Sequence, residues 1–225
     1  MFFVFQIKFP AGILQGIFFD KDRPNYLNYG AIGYIIGHEI THGFDDRGRQ
    51  FDRDGNNKNW WDHQTDLNFR NHTQCIVDQY NNYTVPENGL QVNGINTQGE
   101  NIADNGKCFL SHVATVPLTL RSSHCAAGGL KEAFKAYKKW VQDHGTEKSL
   151  PGLTYTPDQL FWISAANVWC GKYRSEVLKL RVLVGSHSPP MFRVIGPMSN
   201  IREFSESFAC PLGSNMNPAA KCSVW

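Results

Sequence analysis

The amino-acid sequence predicts a mainly α-helical fold, and three segments carry this prediction. The segment 130–141 repeats apolar residues with the period of a helix, so that they share one face. The segment 158–170 is apolar and long enough to form a second helix. His38-Glu39-Ile40-Thr41-His42 contains two histidines four residues apart, a spacing that places both side chains on one side of a helix.

Upstream of these helices, the first eighty residues alternate between predicted loops and helices. Residues 9–14 are expected to form a short extended or turn segment. The segment 28–43 is apolar and carries glycines, each of which costs a helix up to about 1 kcal/mol relative to alanine. We therefore expect close packing to compensate for them. The polar segment 45–59 predicts a loop. Trp60-Trp61, followed by Leu67 and Phe69, predicts an amphipathic helix that reaches past Cys75, and we expect the two tryptophans in the core rather than in a ligand-binding site.

Further along the chain, residues 93–96 predict a turn that leads into the start of a helix at 99–104. The basic residues within 130–141 are expected to form the solvated side of that helix. From His187 onward the chain is rich in Pro, Gly, Ser and Asn, which predicts irregular structure with short helices.

Composition excludes several classes of function. The chain has 225 residues, 41% hydrophobic and 13% aromatic, enough for a packed core in one large or two small domains. A net charge of +2 gives no electrostatic argument for binding nucleic acid or an anionic membrane. The sequence lacks an apolar run of about 18 residues, so no membrane contact is expected from this segment itself. The apolar start of the chain lacks the basic region and cleavage site of a signal peptide.

Cysteines and glycosylation sequons point to an extracellular compartment. None of the cysteines forms a CxxC pair, which argues against a cysteine zinc site and favours disulfides. Asn71-His72-Thr73 and Asn82-Tyr83-Thr84 are sequons for N-glycosylation, although such triplets also arise by chance. The six cysteines are Cys75, Cys108, Cys125, Cys170, Cys210 and Cys222.

The histidine pair carries the most specific chemistry in the sequence. Two imidazoles at this spacing can bind one Zn²⁺, and Glu39 beside the first of them can take a proton from a metal-bound water. The alternative is a helix with two surface histidines and no metal. Asp45 and Asp46 follow directly, and either can orient His42, although a solvated loop is an equally good interpretation.

A catalytic zinc needs at least one more protein ligand, which leaves a position for water. Glu100 is the best candidate in this sequence. Asp104 follows it at helical spacing, where it can accept the second N–H of a ligand histidine and fix its tautomer. Acidic pairs at this spacing also occur on ordinary solvated helix faces.

The chain resembles the carboxy-terminal part of the neprilysin and endothelin-converting-enzyme family of zinc peptidases. The matching segments follow the family's order and cover nearly the whole chain, and ENIADNG is the most specific of them. These segments are FPAGILQ (9–15), LNYGAIGYIIGHEITHGFDDRGRQFDRDGN (27–56), NGINTQGENIADNG (93–106), LPGL (150–153), VWCGKYR (168–174), HSPPMFRVIGPMSN (187–200), EFSESFAC (203–210) and MNPAAKCSVW (216–225).

The resemblance implies a zincin, a thermolysin-like catalytic domain with a small β element, here incomplete. It implies one Zn²⁺ ion bound by His38, His42 and Glu100. By the same resemblance Glu39 is the general base and Asp104 is the carboxylate behind a zinc ligand.

Two further catalytic roles rest on the resemblance alone. His187 corresponds to the family's donor to the tetrahedral oxyanion, and Arg193 to its anchor for a substrate backbone carbonyl. The resemblance also implies a Cys75–Cys222 disulfide and leaves Cys170 without its family partner. Cys210 is expected to lack its partner for the same reason.

The sequence departs from the family pattern in two respects. Residues 1–225 are interpreted as the carboxy-terminal catalytic segment alone, without the family's amino-terminal lobe, membrane anchor and upstream substrate-binding stretch. Residues 107–128 have no family counterpart, and deleting them restores the family pattern; we interpret them as a retained in-frame intron or a gene-model error. The alternative is a genuine surface loop. Cys108 and Cys125 within this segment are interpreted as incidental thiols, not metal ligands.

The predicted function is zinc-dependent endopeptidase cleavage of small peptides on the amino side of hydrophobic residues, a preference implied by the resemblance. The expected partners are peptide substrates, and the expected location is the extracellular face of the plasma membrane or the secreted fraction. One alternative is an inactive fragment that at most binds zinc or peptide. Another is an unrelated zincin whose other similarities are accidental.

Overall fold

The computed structural model describes residues 7–105 and 129–224, and this part of the chain is mainly helical. Short 3-10 turns occur at Ala11–Ile13, His42–Phe44 and Gly48–Gln50, and a π-helical turn at Tyr29–Gly33. The α-helices are α1 (Asn25–Asn28), α2 (Tyr34–Thr41), α3 (His63–Asn81), α4 (Gln98–Asn105), α5 (Gly129–His144), α6 (Pro157–Asn167), α7 (Ser175–Val184), α8 (Pro190–Asn200) and α9 (Arg202–Ser207).

A continuous helical run from α1 to the His42–Phe44 turn carries the histidine pair. Its glycines lie where other backbone segments approach closely. A Cβ at Gly30 would lie 2.4 Å from the Phe161 carbonyl oxygen, and a Cβ at Gly37 would lie 2.5 Å from that of Gly129. The expectation that close packing compensates for these glycines is therefore confirmed.

Two hydrophobic clusters surround this run. One joins α1, α2, α5 and α6 and includes the fully buried Tyr26, Tyr137 and Phe161. The other joins α3, α4, α7 and α8 through residues such as Ile76 and Ile102. Helices α2 and α4 thus belong to different clusters, and the side chains between them lie where the two clusters meet.

The predicted mainly α-helical class is confirmed, and β structure in the described residues is limited to isolated bridges at Phe51–Asn57, Thr84–Gln91 and Ser214–Asn217. Helix α7 is absent from the sequence-based prediction. The expectation of irregular structure with short helices after His187 is confirmed: α8 has 11 residues and starts at a proline in its first turn, and α9 has 6 residues. Trp61 is buried as expected, but Trp60 is 39% exposed and lies outside the core, because only Trp61 packs into the cluster with Phe69.

The Cys75–Cys222 disulfide is present and ties α3 to the carboxyl end of the chain. Cys170 and Cys210 are free thiols, as the resemblance implies. The segment 107–128, with Cys108 and Cys125, lies outside the described residues. Within the part of the chain that the structure describes, no helix has the length and apolarity required to cross a bilayer.

Candidate metal centre

The histidine pair presents two ring nitrogens to one point. His38 lies in the last turn of α2 and is 4% exposed. His42 opens the following 3-10 turn, but its φ of −57° and ψ of −23° keep the helical path, so the four-residue spacing is preserved. The two Nε2 atoms are 3.0 Å apart.

A carboxylate behind each histidine determines which ring nitrogen faces the site. His38 Nδ1 lies 2.8 Å from Asp104 Oδ1, and His42 Nδ1 lies 2.7 Å from Asp45 Oδ2. Because an ionised carboxylate only accepts hydrogen bonds, both Nδ1 atoms donate, and both Nε2 atoms face the site as the nitrogens that can bind a metal after losing any proton they carry. Of the two carboxylates that can orient His42 by sequence, the structure selects Asp45, whereas Asp46 accepts a hydrogen bond from Gln98.

Glu100 completes a three-ligand set. Its Oε2 atom is 3.2 Å from His38 Nε2 and 3.7 Å from His42 Nε2, and the three ligand atoms lie within 4.8 Å of one another. This oxygen is buried, and the nitrogens nearest to it are Nε2 of His187 at 3.0 Å and Nε2 of His38 at 3.2 Å. The two ring nitrogens and the carboxylate oxygen converge on one point, where a proton on His38 or a metal ion balances the carboxylate charge. The donor set fits Zn²⁺, which favours two His and one Glu at open catalytic sites.

Helix α4 is held in place by buried polar contacts along its length. Ser188 Oγ donates to Asn101 Oδ1 at 2.7 Å, which ties α4 to the segment that follows His187. At the carboxyl end of the helix, Asn105 donates to the Tyr80 hydroxyl at 3.0 Å and accepts from Asn200 at 2.7 Å. These bonds give α4, and with it Glu100, a defined position against α3 and α8.

The charged groups of the site shift one another's pKa values. Burial lowers the pKa of His38, but the hydrogen bond and charge of Asp104, with Glu100, outweigh burial and raise it to about 9. Burial raises the pKa of Asp104, yet Arg193 and His38 bring it down to about 2. Burial also raises the pKa of Glu100, but hydrogen bonds to His187 and His38 hold it well below its usual range.

Arg193 lies beside both Asp104 and His38 and is 6% exposed, and its Nη2 atom is 3.3 Å from His38 Nδ1. Its Nε and Nη2 atoms donate to the two Asp104 oxygens at 2.9 and 3.0 Å. The guanidinium stacks on Trp169 at 3.9 Å from the ring centroid, and the Arg193 carbonyl accepts from the Tyr34 hydroxyl at 3.1 Å. Sequence reasoning assigned no role to Trp169 or Tyr34, because neither lies in a spacing that signals contact with Arg193.

The remaining predicted residues lie at the open side of the site. His187 precedes α8, its side chain is 48% exposed, and its Nε2 lies 3.0 Å from Glu100 Oε2. Glu39 follows His38 on α2 and is exposed. The structure therefore brings His187, Arg193 and Asp104 into one connected cluster with the three ligands, with Glu39 next to it on the helix.

Comparison with known proteins identifies the family. The sequence profile of peptidase family M13 matches residues 3–115 and 110–224, which together span nearly the whole chain. The chain belongs to peptidase family M13. This result confirms the resemblance to neprilysin and endothelin-converting enzymes and excludes an unrelated zincin.

Individual M13 relatives agree with this assignment. Neprilysin-2 of Drosophila melanogaster is 53% identical over 219 residues, which are 97% of this chain and 26% of that protein. Endothelin-converting enzyme 1 of Rattus norvegicus is 48% identical over 220 residues, covering 98% of this chain and 26% of that protein. The chain thus spans about a quarter of the length of these relatives.

Solved structures of the M13 type share the fold. The zinc metalloprotease Zmp1 of Mycobacterium tuberculosis, solved with an inhibitor, superposes with a TM-score of 0.76 at 33% identity over 90% of this chain and 28% of that one. A Haemonchus galactose-containing glycoprotein complex gives a TM-score of 0.79 at 38% identity over 96% of this chain and 33% of that one.

Proposed function

We propose that this chain is the catalytic segment of a zinc-dependent endopeptidase that hydrolyses small peptides. The observation that carries the proposal is the convergence of His38, His42 and Glu100 within 4.8 Å, with a carboxylate behind each histidine. Bound zinc would supply Lewis acidity, lowering the pKa of its water to about 7 and polarising the scissile carbonyl. The preference for hydrophobic residues on the carboxyl side of the cut is part of the proposal and rests on family membership.

The side chains around the ligands supply the proton transfer and orientation. Glu39 is exposed next to His38, where it can take a proton from the attacking water and pass it to the leaving amine. His187, half-exposed beside Glu100, can donate to the developing oxyanion. Arg193 uses two nitrogens on Asp104 and keeps further N–H donors for a substrate carbonyl.

The proposal is tested with the purified chain, zinc and a quenched fluorescent peptide. We expect Glu39→Gln to lower kcat about 100- to 10,000-fold, the usual contribution of a general base, without weakening zinc binding. A chelator should abolish turnover. Glu87→Gln, at an exposed carboxylate remote in sequence from the ligands, is the control and should behave like the unsubstituted chain. Turnover that survives both the chelator and Glu39→Gln would disprove the mechanism.

A second candidate function is zinc or peptide binding without turnover. Large apolar side chains are exposed on α7, which ends next to the segment that carries His187: Leu180 is 61% exposed and Val184 is 69% exposed. Apolar surface of this kind is typical of faces that another segment covers. Stoichiometric zinc without peptide cleavage, in the assay above, would favour this second function.

We also propose that the protein acts outside the cell, either secreted or facing the extracellular side of the plasma membrane. The Cys75–Cys222 disulfide forms readily only in an oxidising compartment. Asn71 and Asn82 are both exposed and can accept glycans. Protein expressed in a eukaryotic secretory host should lose mass on treatment with an N-glycosidase, and Asn71→Gln with Asn82→Gln should remove that change; protein that carries no glycan would contradict the proposal.

A further inference from the structure

The loop that follows the histidine pair lies directly against the first turn of α4. Gln98 Nε2 donates to Asp46 Oδ2 at 3.2 Å. A Cβ at Gly99 would lie 2.5 Å from Asp46 Oδ1 and 3.3 Å from Asp45 Oδ2. The two consecutive carboxylates therefore touch the backbone one residue before Glu100.

This loop is itself held firmly. Asp45 Oδ1 accepts from the backbone N–H groups of Arg47 and Gly48 at 2.8 and 2.7 Å. The Asp46 carbonyl accepts from Gln50 Nε2 at 3.0 Å. Asp45 is 5% exposed, so the loop around it has little room to move. These bonds fix the backbone of the loop, and the first turn of α4 packs against it.

The same loop holds His42. Asp45 Oδ2, which lies close to Gly99, is also the oxygen that accepts from His42 Nδ1 at 2.7 Å. A displacement of the first turn of α4 away from the loop would therefore move Glu100 relative to His42. The polar contacts at Asn101 and Asn105 hold α4 against α8 and α3, whereas the contact with the loop is on the side of the first turn that faces His42.

We propose that Asp46, Gln98 and Gly99 form a positioning contact that sets the spacing between His42 and Glu100 for metal binding. The inference rests on the proposed zinc site. Asp46 and Gln98 act through the ligands and touch neither metal nor substrate. Gly99 is required because a Cβ there would lie 2.5 Å from Asp46 Oδ1, so that either the carboxylate turns away from Gln98 or α4 moves off the loop.

Zinc affinity of substituted chains tests this contact. In Gly99→Ala the added Cβ disrupts the contact between α4 and the loop, and we expect the zinc dissociation constant to rise about 10- to 100-fold, the usual effect of disturbing a ligand's support. Alanine ordinarily favours a helix over glycine, so helix propensity predicts the opposite sign. Gly33→Ala is the matched control, because Gly33 has helical φ and ψ and its Cβ would meet nothing closer than 3.6 Å.

Rescue distinguishes positioning from general destabilisation. Removing the Asp46 side chain makes room for the new Cβ, so Asp46→Ala/Gly99→Ala should bind zinc more tightly than Gly99→Ala. The free energy of unfolding of the metal-free chains, measured in urea, should change less than the zinc affinity does. The visible spectrum of the Co²⁺-substituted Gly99→Ala chain should also differ from that of the unsubstituted chain, because the ligand geometry changes.

A second variant tests the hydrogen bond without adding bulk. Gln98→Leu removes the donor to Asp46, and we expect severalfold weaker zinc binding, whereas Gln64→Leu removes a comparable exposed bond to Asn68 and should have no effect. Unchanged zinc affinity in either Gln98→Leu or Gly99→Ala would overturn this inference while leaving the zinc site intact. A loss in Gly33→Ala equal to that in Gly99→Ala would do the same. An unsubstituted chain that binds no zinc would overturn the inference and the proposed function together.

Discussion

His38 in the metal-free chain lies between a buried carboxylate and Glu100, and its pKa is raised to about 9. A raised pKa means that the imidazole is protonated below about pH 9, and a protonated nitrogen cannot bind zinc. Zinc binding at pH 7 should therefore release a proton from His38, and the affinity should increase with pH until about pH 9. Calorimetry in buffers of different ionisation enthalpy measures this proton release.

Asp104→Asn tests whether the Asp104 charge is what keeps that proton on His38. The substitution removes the charge that raises the pKa of His38, so fewer protons should be released, and zinc should bind about 10- to 100-fold more weakly because a neutral amide orients the ring less strongly than a carboxylate. Asp54→Asn, at an exposed carboxylate, is the control and should leave both quantities unchanged. Unchanged proton release in Asp104→Asn would contradict this account.

At the residue scale, sequence spacing was sufficient for the histidine pair, because four residues along a helix fix a common face. Glu100 and Asp104 are remote in sequence, and only the ENIADNG motif singled them out. The choice between Asp45 and Asp46 could not be made from sequence, because it depends on the turn at Gly48, where a Cβ would lie only 1.8 Å from the His42 carbonyl oxygen. That tight turn directs Asp45 toward His42 and Asp46 toward α4.

At the scale of elements, α1 begins under a cap supplied from a distant part of the chain. The Glu147 carboxylate accepts from the backbone N–H groups of Asn25 and Tyr26 at 2.8 and 3.1 Å. Glu147→Ala should lower the free energy of unfolding by about 1–2 kcal/mol, because it leaves first-turn N–H groups without a partner and removes a negative charge from a helix amino end. Urea unfolding measures the change. Glu206→Ala removes only an exposed pair with Arg202 and should cost far less; equal losses would argue against the cap.

Physical reasons explain why the sequence pattern does not predict α7 and how α8 accommodates its prolines. Helix α7 carries apolar residues on all sides, yet only Leu178 and Val182 are buried, so its sequence shows no clean helical period. Helix α8 contains Pro190 and Pro197, and Pro190 occupies the first turn, where its missing N–H costs nothing. In contrast, α5 was predictable because its apolar face repeats regularly.

At the scale of the whole molecule, the ends that flank the segment 107–128 lie close together. A Cβ at Gly129 would be 2.8 Å from the carbonyl oxygen of Ala103, within the last turn of α4. If the segment is retained intron sequence, a chain that lacks it should be more stable by about 2 kcal/mol, because a connection shorter by these residues costs less entropy to close.

Urea unfolding of the shortened and the complete chain measures this difference, and transcript reads across the junction test the origin of the segment. A shortened chain of lower stability would show that the segment contributes contacts of its own. A correctly spliced transcript that still encodes residues 107–128 would refute the intron interpretation and favour a genuine surface loop.

The bond between Cys75 and Cys222 spans a sequence separation of 147 residues and leaves Glu100, His187 and Arg193 inside the covalent ring it closes. His38 and His42 lie outside that ring, on the free amino-terminal arm. A protease that cuts once between the two cysteines opens the ring without releasing a fragment, so the two pieces stay linked until a thiol reductant is added. Cleavage between His42 and Cys75, by contrast, separates the imidazole ligands from the carboxylate ligand even under oxidising conditions.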